Sequence, residues 1–200
     1  MSHVPLLLVL AVTYSNHWTF LDIGFKYSGS WVWALTAGFV AASIFGIVHR
    51  IVQRALPISP ANPPTVFDIE ILKATLPRGS KAHAVQCFET TLLSPILEDL
   101  IYRGFFVFYF GSLTGNPAAA VLVGLVLCVA VHLYMGGARL LSILMFYTAS
   151  ITLLYSPFGL MSTIVFHIVC NTRYMMHRRT HALQYMMVAQ DLRRRTDGTD

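Results

Sequence analysis

Two acidic residues and an arginine stand together in E98-D-L-I-Y-R103, a histidine follows at His132, and a His-x-x-x-Asn pair occupies His167 and Asn171. These residue types do a narrow range of chemistry. A carboxylate can take a proton from water, an imidazole can hold or pass one, and an amide or imidazole N–H can steady a developing negative oxygen. Asp99 and Arg103 are four apart, so on a helix they share a face and can pair as a structural clamp. Glu98 lies about 100° round from Asp99 and about 140° from Arg103, which leaves its carboxylate outside that pair. His167 and Asn171 are also four apart, one turn along one face. One Glu and two His from three helices could converge on one water. Each residue also has a plainer reading. His132 could be a packed core histidine, and His167 with Asn171 an interhelical hydrogen-bond pair.

The surroundings of these residues are apolar. Of 200 residues, 56% are hydrophobic and 12% are charged, and the mean hydropathy is +0.62. The charged share is about half of the ~25% usual in soluble domains. That excludes an ordinary soluble enzyme and a disordered chain, and it leaves an all-α, polytopic membrane helix bundle. Apolar runs predict about six transmembrane helices, near 4–21, 31–48, 83–110, 118–134, 140–155 and 158–176, plus a short amphipathic surface helix at 65–76. Pro95 is expected to kink the third span, and the stretch Gly111–Pro117 (GSLTGNP) and the pair Ser156-Pro157 are expected to be turns. Ionisable side chains inside spans are costly and by default mark a functional site.

The chain divides into an N-terminal part (1–80) with two spans and the linker helix, a core (81–176) with the motif residues, and a basic tail (177–200). Six spans place Arg50, Arg54, Lys73, Arg78, Lys81, Arg139 and the tail arginines on one side, against Lys26 on the other. Basic residues lie inside, so both termini are predicted cytoplasmic. The basic tail reads as a flank on anionic lipid rather than a nucleic-acid site. Cys87, Cys128 and Cys170 show no disulfide or metal spacing.

Three motifs in this order, E98-D-x-x-x-R103, C128-x-x-x-H132 and H167-x-x-x-N171, resemble the CPBP family of CAAX-protease and bacteriocin-processing membrane proteins, also called the abortive-infection family. That family carries Glu-Glu-x-x-x-Arg, Phe-x-x-x-His and His-x-x-x-Asn/Asp. The motifs span Glu98 to Asn171, and the hydrophobic framework extends the resemblance to about residues 80–176. Two positions depart from the pattern: Asp99 stands for the second Glu, and Cys128 for the Phe.

The resemblance implies an intramembrane endopeptidase of the glutamate type, acting on a membrane-embedded or membrane-associated protein or peptide. Glu98 and His132 would activate water, and His167 and Asn171 would donate to the oxyanion. Asp99 and Arg103 would hold the helix that presents Glu98. No cofactor is expected on this reading. A zinc-dependent version stays open, because Glu98, His132 and His167 would make a His₂Glu set, although the chain has no HExxH and Asn is a poor zinc ligand. Two further classes stay open: a non-catalytic scaffold or bacteriocin-immunity module, and a small proton-coupled transporter. The family's substrates include prenylated tails, bacteriocin leaders and anchored sorting signals. The compact length suits a prokaryotic member in the cell (inner) membrane.

Overall fold

The computed structural model describes residues 30–55, 80–132 and 140–176, with single positions between 11 and 24, and without the side chains of 53, 54, 80–83, 131, 132 and 140. The described elements are all helical, as expected for the class. The predicted first span (4–21, single positions aside), the amphipathic helix (65–76), the Arg139 loop and the basic tail (177–200) lie outside the described residues.

Helix α1 runs from Trp31 to Ala55, 25 residues, or about 37 Å at 1.5 Å per residue. That exceeds the ~30 Å hydrocarbon core of a bilayer. Among the described residues its stretch Trp31–Val52 is the helix both long and apolar enough to cross a membrane. A core helix of a soluble protein would hide such a surface. Here Val32, Phe39, Val40, Ile44, Ile47 and Ile51 all face outward, the arrangement that lipid favours. The opposite face is a stripe of small residues, Ala34, Gly38, Ala42 and Gly46, spaced by four. This is the small-xxx-small pattern that lets membrane helices approach closely. A Cβ at Gly38 would lie 2.5 Å from the Ser162 carbonyl oxygen and 2.7 Å from Val165 Cβ.

Residues 80–114 form one unbroken helix, α2, of changing pitch. It is α-helical over Ser80–Phe88, π over Glu89–Leu93, α over Ser94–Glu98, π over Asp99–Phe106 and α over Val107–Thr114. Pro95 therefore interrupts the hydrogen-bond ladder without ending the helix. Proline lacks an N–H and its ring crowds the carbonyl four residues back, and a widened π turn relieves both. The helix continues to Thr114, past the start of the expected turn. Gly115 closes it in the left-handed conformation (φ 62°), which glycine adopts without a Cβ penalty.

Asn116 then caps α3 (Pro117–His132) by accepting the Ala118 and Ala119 N–H groups at 3.0 and 3.2 Å, with Pro117 in the first turn. Helix α4 follows over Leu140–Leu154. The predicted turn at 156–157 is present. Ser156 Oγ accepts the Phe158 N–H at 3.2 Å and donates to the Leu153 carbonyl at 2.6 Å. Helix α5 occupies 159–176. Its Leu160 N–H, which no preceding helical turn can satisfy, donates to the Gly24 carbonyl at 2.9 Å.

The core lies where α2, α3, α4 and α5 meet. Val107, Leu154, Leu160 and Ile164 form one cluster, and Cys128, Ile143 and Tyr147 another. Buried hydroxyls tie α5 to α4, Thr163 Oγ1 donating to the Ser150 carbonyl at 3.2 Å. Helix α1 is fastened at two further points. Arg173 of α5 donates to the Ala42 carbonyl at 2.7 Å and to Ser43 Oγ at 3.2 Å. His49 meets Ser142 Oγ of α4 at 2.7 Å.

Candidate active site

The second π stretch of α2 carries Asp99 and Arg103, and Glu98 immediately precedes it. Widened turns of this kind recur at functional sites. Arg103 Nη1 donates to Asp99 Oδ1 as a buried ion pair, as the four-residue spacing led us to expect. The side chains are 3% and 0% exposed. Asp99 Oδ2 and Arg103 Nε meet no partner among the described residues.

His167 of α5 reaches the same carboxylate. Its Nδ1 lies 3.2 Å from Asp99 Oδ1, and its Nε2 lies 3.8 Å from Glu98 Oε2. One imidazole thus spans two neighbouring carboxylates, presenting a different ring nitrogen to each. That resolves how residues about 100° apart on one helix can serve one partner. Asp99 does more than clamp Arg103. An ionised carboxylate only accepts, so the proton between them belongs to Nδ1 of His167. Nε2 then faces Glu98. The 3.8 Å gap to Oε2 is too long for a direct hydrogen bond. It suits groups that share a small third molecule.

Glu98 is the more open carboxylate, 23% exposed against 0% for Asp99. Its Oε1 accepts a hydrogen bond from Ser94 Oγ, one turn earlier. The carboxylate is therefore held by one oxygen and turned to His167 with the other. Asn171 lies one turn beyond His167, yet its contact is different. Its Nδ2 donates to the Thr90 carbonyl at 3.0 Å. His132 is the last described residue of α3, one turn after Cys128, which is buried beside Ile143 and Tyr147. The His132 side chain lies outside the described residues. Among the described residues no group of three His, Cys, Asp or Glu side chains is placed to hold a metal ion.

Helix α4 supplies walls that the motif residues did not reveal. The Phe146 ring meets the His167 ring edge-on at 4.8 Å, and the Arg103 guanidinium lies 5.2 Å from the Phe146 centroid and 5.7 Å from that of Tyr147. Phe146 thus touches both partners of Asp99. Ser94 could have been found from its position four before Glu98, whereas Thr90 could not, because it lies five before Pro95 and only the π register of Glu89–Leu93 makes that spacing a hydrogen-bond distance. Nothing in the spacing of Phe146 or Tyr147 marks them.

The site is a carboxylate–imidazole–carboxylate–guanidinium cluster in the interior of an all-helical, largely apolar chain. A model of the Rce1-like family, described as Type II CAAX prenyl endopeptidase Rce1-like, matches residues 80–173. The matched stretch contains Glu98, Asp99, Arg103, His132, His167 and Asn171, so residues 80–173 match the CAAX-protease family whose motifs the sequence resembles. Members of that family are membrane-embedded. Helix α1 lies outside the matched stretch. No curated protein matches the chain. No solved structure matches it.

Proposed function

We propose that the chain is an intramembrane endopeptidase of the glutamate type, which hydrolyses a peptide bond in a membrane-embedded or membrane-associated protein or peptide. The observation that carries this reading is the His167 ring held between Asp99 at Nδ1 and Glu98 at Nε2. It keeps one partly exposed carboxylate and one oriented imidazole beside each other in a site that could admit water. Glu98 takes a proton from water, assisted by His132, and the oxygen attacks the scissile carbonyl carbon. In the doubly protonated ring His167 donates Nε2–H to the developing oxyanion. Asn171 has a second amide proton for the same oxygen. The C–N bond then breaks and the proton held by Glu98 passes to the leaving amine. Asp99 and Arg103 keep the ring and the helix in place.

The reaction so written needs no metal, and Glu98 and His167 supply both base and donor. Activity that disappears on exhaustive chelation and returns with added zinc would replace it with a zinc-dependent hydrolase. The six-span topology with both termini cytoplasmic belongs to the same proposal and rests on the distribution of Lys and Arg. The deciding experiment compares the membrane proteomes of cells carrying the wild-type chain and Glu98→Gln. Uncleaved membrane-associated proteins should accumulate with Glu98→Gln at equal expression and insertion. Identical proteomes would favour a non-catalytic scaffold.

A further inference from the structure

The backbone ladder of α2 has a gap at Thr90. In an α-helix the Thr90 carbonyl would accept the Ser94 N–H, and in a π turn the N–H of residue 95. The Ser94 N–H goes instead to the Glu89 carbonyl. Residue 95 is proline, which has no N–H. Neither the α nor the π register therefore offers the Thr90 carbonyl a donor. In a membrane interior water cannot make good the loss, and an unpaired backbone carbonyl is costly there. Asn171 Nδ2 reaches it from α5 at 3.0 Å. One turn back along α5, His167 meets Asp99 and faces Glu98. The two contacts lie in succession along the same pair of helices, so together they fix how far α5 slides and how it rotates against α2.

We propose that Asn171 is a positioning residue for Glu98: its amide replaces the N–H that Pro95 lacks and fastens α5 to the widened turn from which Glu98 is presented to His167. This role is additional to any contact with substrate. It rests on the peptidase reading only for its consequence in catalysis, since the bond itself exists without substrate.

A double-mutant cycle on the purified full chain in dodecyl maltoside tests it, using Asn171→Ala, Pro95→Ala and both together. In the Pro95 chain Asn171→Ala strands a carbonyl and should lower the melting temperature by about 2–8 °C. In the Pro95→Ala background an N–H at 94 or 95 can serve Thr90, and Asn171→Ala should cost about 1 °C or less. Equal losses in the two backgrounds, or none in either, would overturn the proposal. Should Asn171→Ala not fold, recovery in the double variant is the expected result, and failure of the double variant beside a folded Pro95→Ala is the overturning one.

The positioning claim is read from the ¹⁵N resonance of His167 Nδ1 in histidine-labelled protein, assigned by its loss in His167→Gln. It should move in Asn171→Ala and return in the double variant, and an unmoved resonance refutes positioning. Neither readout uses a substrate. Their failure is therefore distinct from failure of the peptidase reading, which Glu98→Gln decides.

Discussion

Arg103→Met would take the guanidinium from a buried carboxylate and leave Asp99 with the His167 ring as its described partner. Asp99 is fully buried and Arg103 is 3% exposed, so solvent screening offers no discount. Removing one partner of a buried ion pair costs about 3–5 kcal/mol. Methionine keeps much of the stem's bulk against α4 but loses the guanidinium–ring contacts to Phe146 and Tyr147 at 5.2 and 5.7 Å. Those contacts contribute about 0.5–2 kcal/mol. The combined loss is about 3.5–7 kcal/mol, a fall in melting temperature on the order of 10–20 °C for a chain of this size. Asp99→Asn in the same chain removes the buried charge and keeps an amide oxygen for His167 Nδ1. The double variant should therefore recover most of the ion-pair part and retain only the ring loss. Thermal unfolding of wild type, both single variants and the double variant in detergent measures this. A double variant as unstable as the sum of the singles would refute the reasoning, because two charges that compensate each other cannot be additive.

The close approach of α1 and α5 predicts that Gly38→Val forces them apart, since its Cβ would press on the Ser162 carbonyl oxygen and Val165 Cβ at 2.5 and 2.7 Å. The expected loss is about 1–3 kcal/mol, read as a lower unfolding temperature. Phe146→Ala removes the ring that touches both His167 and Arg103. It should cost about 3–5 kcal/mol in stability and lower cleavage, with Phe146→Leu in between. Gly124→Ala places a Cβ 2.4 Å from the Tyr147 hydroxyl oxygen. Adding Tyr147→Phe should relieve that clash and leave only the lost bond to the Val121 carbonyl, about 1 kcal/mol by unfolding. Glu98→Gln should leave melting within about 1 kcal/mol of wild type, because Glu98 is partly exposed and its neutral amide can still accept from Ser94. The same variant should abolish hydrolysis.

Much of the architecture was legible before any coordinates. The low charge and long apolar runs announced a helical membrane chain, since lipid leaves few other solutions for the backbone. The positions of α1, α3, α4 and α5 followed from those runs and from the Asn116-Pro117 and Ser156-Pro157 punctuation. The Asp99–Arg103 pair followed from helical spacing alone. The continuation of α2 to Thr114 did not, because residues 111–114 read equally well as a turn and are settled by packing against α3.

The candidate site divides in the same way. The sequence by itself determined which residues could do the chemistry, because only a few ionisable groups occur in apolar spans and their cost makes each conspicuous. It also fixed that one N–H is missing at Pro95, a covalent fact, whereas the fall of that gap on the Thr90 carbonyl rather than the Thr91 carbonyl depends on the π register of Glu89–Leu93. Only the tertiary structure decided the partners. Spacing along one helix cannot say which nitrogen of His167 meets which carboxylate, nor that Asn171 turns to the Thr90 backbone instead of to Glu98. Those contacts depend on the offset and rotation of α5 against α2, and on Phe146 arriving from α4. Such long-range quantities are set by how complete helices pack, and no local pattern encodes them.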